Sequence, residues 1–143
     1  MKARVQLIFP PQIAPRRIEE YAPENPECFG LRIQAFIGPL DEESVDSFDF
    51  TVCSPSWFGG HYQDLQRLHS EPDGTLVGHG LVFMKRWNAE DFLTLVHDVC
   101  GQAEGRTWGE VASRIHRVLP WEYVGHYDAA VDAGEPFPSD SPG

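Results

Sequence analysis

Two stretches of the chain alternate apolar and polar positions with the period of two that a half-buried strand requires. In the first, Phe29, Leu31, Ile33, Ala35 and Ile37 alternate with Gly30, Arg32, Gln34 and Phe36, and Gly38-Pro39 ends the run. In the second, Phe48, Phe50 and Val52 share one face, and Asp49, Thr51 and Cys53 the other. Residues 5–9 form a shorter apolar run closed by Pro10-Pro11, which reads as a further strand. From there to Pro26 the prolines predict an irregular connection with one helical turn near residues 17–21. Ser54-Pro55-Ser56 breaks the second alternating strand, and Trp57-Phe58-Gly59-Gly60 opens a loop or short helix reaching about Leu68. Pro72-Asp73-Gly74 is a turn, after which residues 76–77 and 80–85 supply one strand or two short ones. The segment from 29 to 86 is thus expected to be an antiparallel meander.

Beyond residue 87 the period changes. Asn88 suits a helix N-cap, with Glu90 and Asp91 in the first turn where the helix dipole favours them. Phe92, Leu93, Val96, Val99, Cys100 and Ala103 recur at helical spacing, and Gly105 is placed to stop the helix. Thr107-Trp108-Gly109-Glu110 has the form of a capping box opening a second helix. Its apolar face carries Trp108, Val111, Ala112, Ile115, Val118 and Leu119, and Pro120 ends it. Trp121-Glu122-Tyr123-Val124 suits a last short strand. Strands followed by helices predict an α+β fold, an antiparallel sheet with two C-terminal helices on one face. Residues 1–127 read as a single domain, and 128–143 as a flexible, acidic, proline-containing tail.

Charge changes this picture more than length or composition. The 143 residues carry 11 Lys and Arg against 22 Asp and Glu, a net charge of −11. Residues 1–39 hold five basic and four acidic side chains, a net of +1, while residues 40–143 hold six and 18, a net of −12. Such a surface repels nucleic acid and anionic lipid and attracts a basic partner, although acidity also serves plain solubility. The densest acids are Asp41, Glu42, Glu43, Asp46 and Asp49. Asp49 lies opposite Phe48, Phe50 and Val52, so its face is expected to be solvated or partner-facing. No run approaches a membrane span, and the apolar start is too short for a signal peptide, so the chain reads as cytoplasmic. Cys28, Cys53 and Cys100 are odd in number and widely spaced, which suits reduced, mostly buried thiols.

Few residues of the chain stand in a pattern that carries chemistry. Six histidines form no metal-binding pair, and His97 and Asp98, adjacent on a helix, point about 100° apart. No GxSxG, GxGxxG or phosphate-binding loop is present. No metal, cofactor or catalytic residue is assigned. Trp57, beside Phe58 and two glycines, suits either a binding anchor or a packing residue, and packing is the preferred reading.

The order of the remaining motifs is more specific. Residues 47–52 (Ser-Phe-Asp-Phe-Thr-Val) precede Trp57, then Gly80-Leu81-Val82-Phe83, a helix, Thr107-Trp108 with Glu110, Val111, Arg114 and Ile115, and Trp121-Glu122-Tyr123. Over roughly residues 28–127 this resembles the immunity protein 8 family of bacterial polymorphic toxin systems. The resemblance implies a non-enzymatic, cofactor-free α+β domain that binds and neutralises a cognate toxin domain in the producing cell's cytoplasm. The acidic residues suit a basic toxin, such as a nuclease, which gives Asp41, Glu42, Glu43, Asp46, Asp49 and Trp57 as partner-binding candidates. Thr107, Trp108, Glu110, Trp121, Glu122 and Tyr123 are the structural motif. An accessory ligand-binding or self-associating domain, or a small enzyme with an unrecognised acid and histidine site, remains the alternative.

Overall fold

β-Branched and aromatic residues at alternate positions favour the pleated sheet, and the period of two decides which of them turn inward. A computed structural model of the chain describes residues 1–68, 72 and 74–123. Its sheet has the order β1 (Ala3–Phe9), β2 (Gly30–Pro39), β3 (Asp46–Cys53) and β4 (Leu81–Phe83). Leu31, Ile33 and Ala35 of β2 stand opposite Val52, Phe50 and Phe48 of β3, and all six are buried. The expected helical turn near residues 17–21 is the single-turn helix Ile18–Glu20.

The first three strands form the antiparallel meander. The fourth departs from it: β4 runs parallel to β3, pairing Thr51 with Leu81 and Cys53 with Phe83. Parallel neighbours need a crossover of about a dozen residues or more, and helix α1 (Pro55–Leu68) provides it. The expected last strand reduces to an antiparallel bridge between Phe48 and Trp121, and Val124 lies outside the described residues, as does the tail expected at 128–143.

Helices α2 (Ala89–Gln102) and α3 (Trp108–His116) cover the face that carries Phe48 and Phe50, completing an α+β fold. Phe92 meets Phe50 at 6.1 Å between ring centroids, and Trp108 meets Phe48 edge-on at 6.5 Å. Helix α1 lies on the opposite face. Its Trp57 indole occupies the space above Gly30, where any Cβ would overlap the ring, and Phe58 packs edge-on against Phe83 at 5.4 Å. Gly30→Ala is therefore expected to cost about 1–3 kcal/mol by overpacking, read as a lower thermal midpoint. An unchanged midpoint would mean that α1 lifts from the sheet without cost.

The helix starts follow their caps. Asn88 Oδ1 accepts the Asp91 N–H at 3.0 Å, and Thr107 Oγ1 accepts the Glu110 N–H at 3.3 Å. The Glu110 carboxylate reaches back one residue further than a capping box does, to the Arg106 N–H at 2.8 Å, which holds its pKa below the usual carboxylate value. Gly105 is not the helix stop: α2 ends at Gln102 with Ala103 as its cap. Glycine is needed at 105 because a Cβ there would lie 2.7 Å from the Glu110 Cβ.

Burial sorts the cysteines. The Cys53 and Cys100 thiols are buried, which pushes their pKa values up to about 11 and about 12, whereas Cys28 is exposed. Because the thiolate is the reactive form, alkylation of the native protein at pH 8 is expected to modify one thiol per chain, and three after denaturation. Modification of all three in the native state would mean that the core opens readily.

Candidate interaction surface

The acidic residues after β2 belong to a tightly held turn. Gly38 faces away from the core, and a Cβ at this position would overlap the Ser44 carbonyl oxygen, so the loop folds back over the sheet only because glycine is there. The Glu42 N–H donates to the Pro39 carbonyl at 3.1 Å, and the Leu40 N–H to the Lys2 carbonyl at 2.9 Å. From β1, the Arg4 guanidinium donates to the Glu42 carbonyl oxygen. Asp41 and Glu43 are left exposed at the turn, while Glu42 is partly buried and its Oε2 meets no hydrogen-bond donor among the described residues.

Asp46 does not belong with them. It is 9% exposed and sits on the core side of β3, where its Oδ2 accepts the Trp108 Nε1–H at 2.7 Å and the Trp121 Nε1–H at 2.9 Å. Its acid ties β3 to the start of α3 and to the segment after it, and it is withdrawn from the surface patch. Parity within the strand carries the signal, since 46, 48, 50 and 52 all face inward.

Asp49 is exposed on the other face, as its alternation predicts. Its Oδ1 accepts the Ser47 hydroxyl at 2.9 Å, and Ser47 Oγ in turn accepts the Gln34 amide at 3.2 Å. Arg32, Gln34, Asp49 and Thr51 floor a groove of 620 Å³, flanked by Pro11 on one side and by Val77 and His79 on the other. His79 Nε2–H donates to the His116 carbonyl at 2.6 Å, which ties the 74–80 segment to the end of α3. Trp57 closes this face at its far end, clamped on Gly30 and stacked by His61 at 4.3 Å.

The remaining motif residues converge on the start of β3. Glu122 Oε1 accepts the Ser47 N–H at 2.7 Å, while the Glu122 N–H donates to the Ser47 carbonyl at 3.1 Å. Trp121 stacks on Phe48 at 6.4 Å, and Tyr123 meets Trp121 edge-on at 6.3 Å. With Thr107, Trp108 and Glu110 opening α3, the motif joins α3 and the segment after it to β3. The family model for immunity protein 8 matches residues 11–126.

The chain belongs to the immunity protein 8 family. It is thus an immunity protein of a toxin system, a family role that implies binding of a cognate toxin. The match begins at residue 11, so the connection between β1 and β2 lies inside the family region and not before it. No curated protein and no solved structure matches the chain. Among the described residues no three His, Cys, Asp or Glu side chains come together as a metal site, and no helix is long and apolar enough to cross a membrane.

Two features were not anticipated from this immunity protein's sequence: the clasp of two indoles on Asp46, and the anchoring of the acidic turn by Arg4 and Gly38. Nothing local to Arg4 or Gly38 signals the second, because it depends on the pairing of β1 with β2.

Proposed function

We propose that this immunity protein neutralises a basic toxin domain, such as a nuclease, by forming a stoichiometric complex in the cytoplasm, without catalysis of its own. Family membership over residues 11–126 carries this reading. The net charge of −11 and the anchored turn bearing Asp41 and Glu43 support the basic character of the partner. Electrostatic steering of this kind acts chiefly on the association rate and is screened beyond about 8 Å at physiological salt. A turn already held in place avoids the ordering cost that a floppy acidic loop would add on binding.

The probe is the cognate toxin domain, which the immunity reading expects the adjacent open reading frame to encode. Replacing Asp41, Glu43 and Asp49 together with lysine should slow association roughly tenfold or more and flatten its dependence on salt. All three are exposed, so the fold should be retained; Asp46 is left intact for the opposite reason. Stopped-flow traces at two salt concentrations that match the unaltered protein would remove these acids from the interface.

A further inference from the structure

We infer that the toxin docks on the part of the sheet that no helix covers among the described residues, with Leu7, Phe9 and Phe36 as the apolar centre of the contact. The inference rests on the immunity reading and adds to it the face that is used and the chemistry of the partner there.

The two sheet faces are treated differently by the fold. Helices α2 and α3 bury one of them, whereas α1 covers only the end of the other, where Trp57 lies on Gly30 and Phe58 on Phe83. In β1, Ile8 joins the core, so its neighbours Leu7 and Phe9 point to the uncovered side. Leu7 pairs with Phe36, which pairs in turn with Ser47, and Phe9 pairs with Gln34, which pairs with Asp49. Leu7 is 51% exposed, Phe9 and Phe36 are partly exposed, and none of the three belongs to the core cluster. Across the groove, Val77 is 57% exposed.

This apolar centre has a charged rim. The acidic turn folds onto the same face over Gly38, and Asp49 stands on the row next to Leu7 and Phe36. Two cations share the face: Arg4 is engaged with the Glu42 carbonyl, and Arg32 lies toward the α1 end. The outer edge of β1 is also unused, since its backbone from Arg4 to Phe9 bonds only to β2 among the described residues.

Charge selects the occupant. A second copy would bring its own acidic turn and its own net −11 against the first, and nucleic acid would be repelled by the same acids. A basic protein surface with an apolar spot at its middle fits both the centre and the rim. That arrangement, apolar anchors inside a polar ring, is the usual composition of an interface hot spot.

The test compares Leu7→Arg with Thr94→Arg, an equal change of charge on the exposed side of α2. Leu7→Arg should raise the Kd for the adjacent-frame toxin domain about 30-fold or more, and Thr94→Arg should change it less than about threefold. Hydroxyl-radical footprinting of the unaltered complex supplies a measurement that does not depend on a variant folding. Leu7 and Phe36 should be protected, while Val118, 41% exposed near the end of α3, should stay reactive. Wild-type-like binding by Leu7→Arg, or unprotected Leu7 and Phe36, would overturn the docking face while leaving the immunity reading intact. A wild-type dimer that Leu7→Arg splits into monomers would overturn it in favour of a second copy. Failure of the unaltered protein to bind this toxin domain at all would sink the immunity reading, and the docking face with it.

Discussion

Asp46→Ala is expected to lower stability by about 3–5 kcal/mol, because it removes the acceptor of two buried indole N–H groups at once. Each orphaned donor in the core costs about 1–3 kcal/mol, and here both donors, from Trp108 and Trp121, converge on the single oxygen Oδ2. Convergence on one oxygen makes a second variant informative. Asp46→Asn keeps a carbonyl oxygen that can occupy the same place, so it should lose only about half as much, chiefly the charge assistance of the two bonds. Urea midpoints for the two variants decide the matter. Equal losses would show that the charge matters more than the acceptor, and no loss from alanine would show that water reaches both indoles.

Trp121→Ala should cost a comparable amount, about 3–5 kcal/mol, as large aromatic deletions from a core do. Trp121 is 2% exposed, stacks on Phe48, bonds Asp46 and forms the bridge that attaches its segment to β3. Since the two residues share an interaction, the double variant with Asp46→Ala should lose less than the sum of the single losses, by roughly 0.5–3 kcal/mol. Strict additivity in a double-mutant cycle would contradict the direct coupling of Asp46 to Trp121.

Physical scale decides how much of this was legible in the sequence. The alternation over β2 and β3 and the helical period of α2 and α3 each span many residues and place nearly the same side chains in the core, so those elements could be read; Val118, expected on the apolar face of α3, lies beyond its end and is exposed. The direction of β4 could not: three residues carry no directional pattern, and the crossover before them sets it. Helix α1 is legible only as a loop or short helix reaching Leu68, because Ser54-Pro55 reads as a strand breaker and Gly59-Gly60 as a loop. In fact Pro55 occupies the first helical position, where its missing N–H has no cost, and Ser54 Oγ accepts the Trp57 N–H at 3.3 Å. The two glycines are tolerated because packing of Trp57 and Phe58 on the sheet outweighs their poor propensity. For the candidate surface, the acids at 41, 43 and 49 were visible as a cluster. The exclusion of Asp46 needed strand parity, and the bare face around Leu7 needed the knowledge that α1 covers only one end of the sheet.

The outer edge of β3 is completed by two separate pieces of chain, residues 80–84 alongside its second half and residues 120–122 alongside its first. The later piece follows its partner by 75 positions, Ser47 to Glu122. During synthesis β1, β2 and β3 therefore emerge before the 120–122 segment is free to pair with them. Until residue 122 has emerged, half of a β-rich strand offers unpaired backbone groups, the condition under which nascent chains join one another. Free chains truncated before Trp121 should be readily digested by protease, whereas chains that extend past Glu122 should resist, because only the later piece closes the first half of this edge.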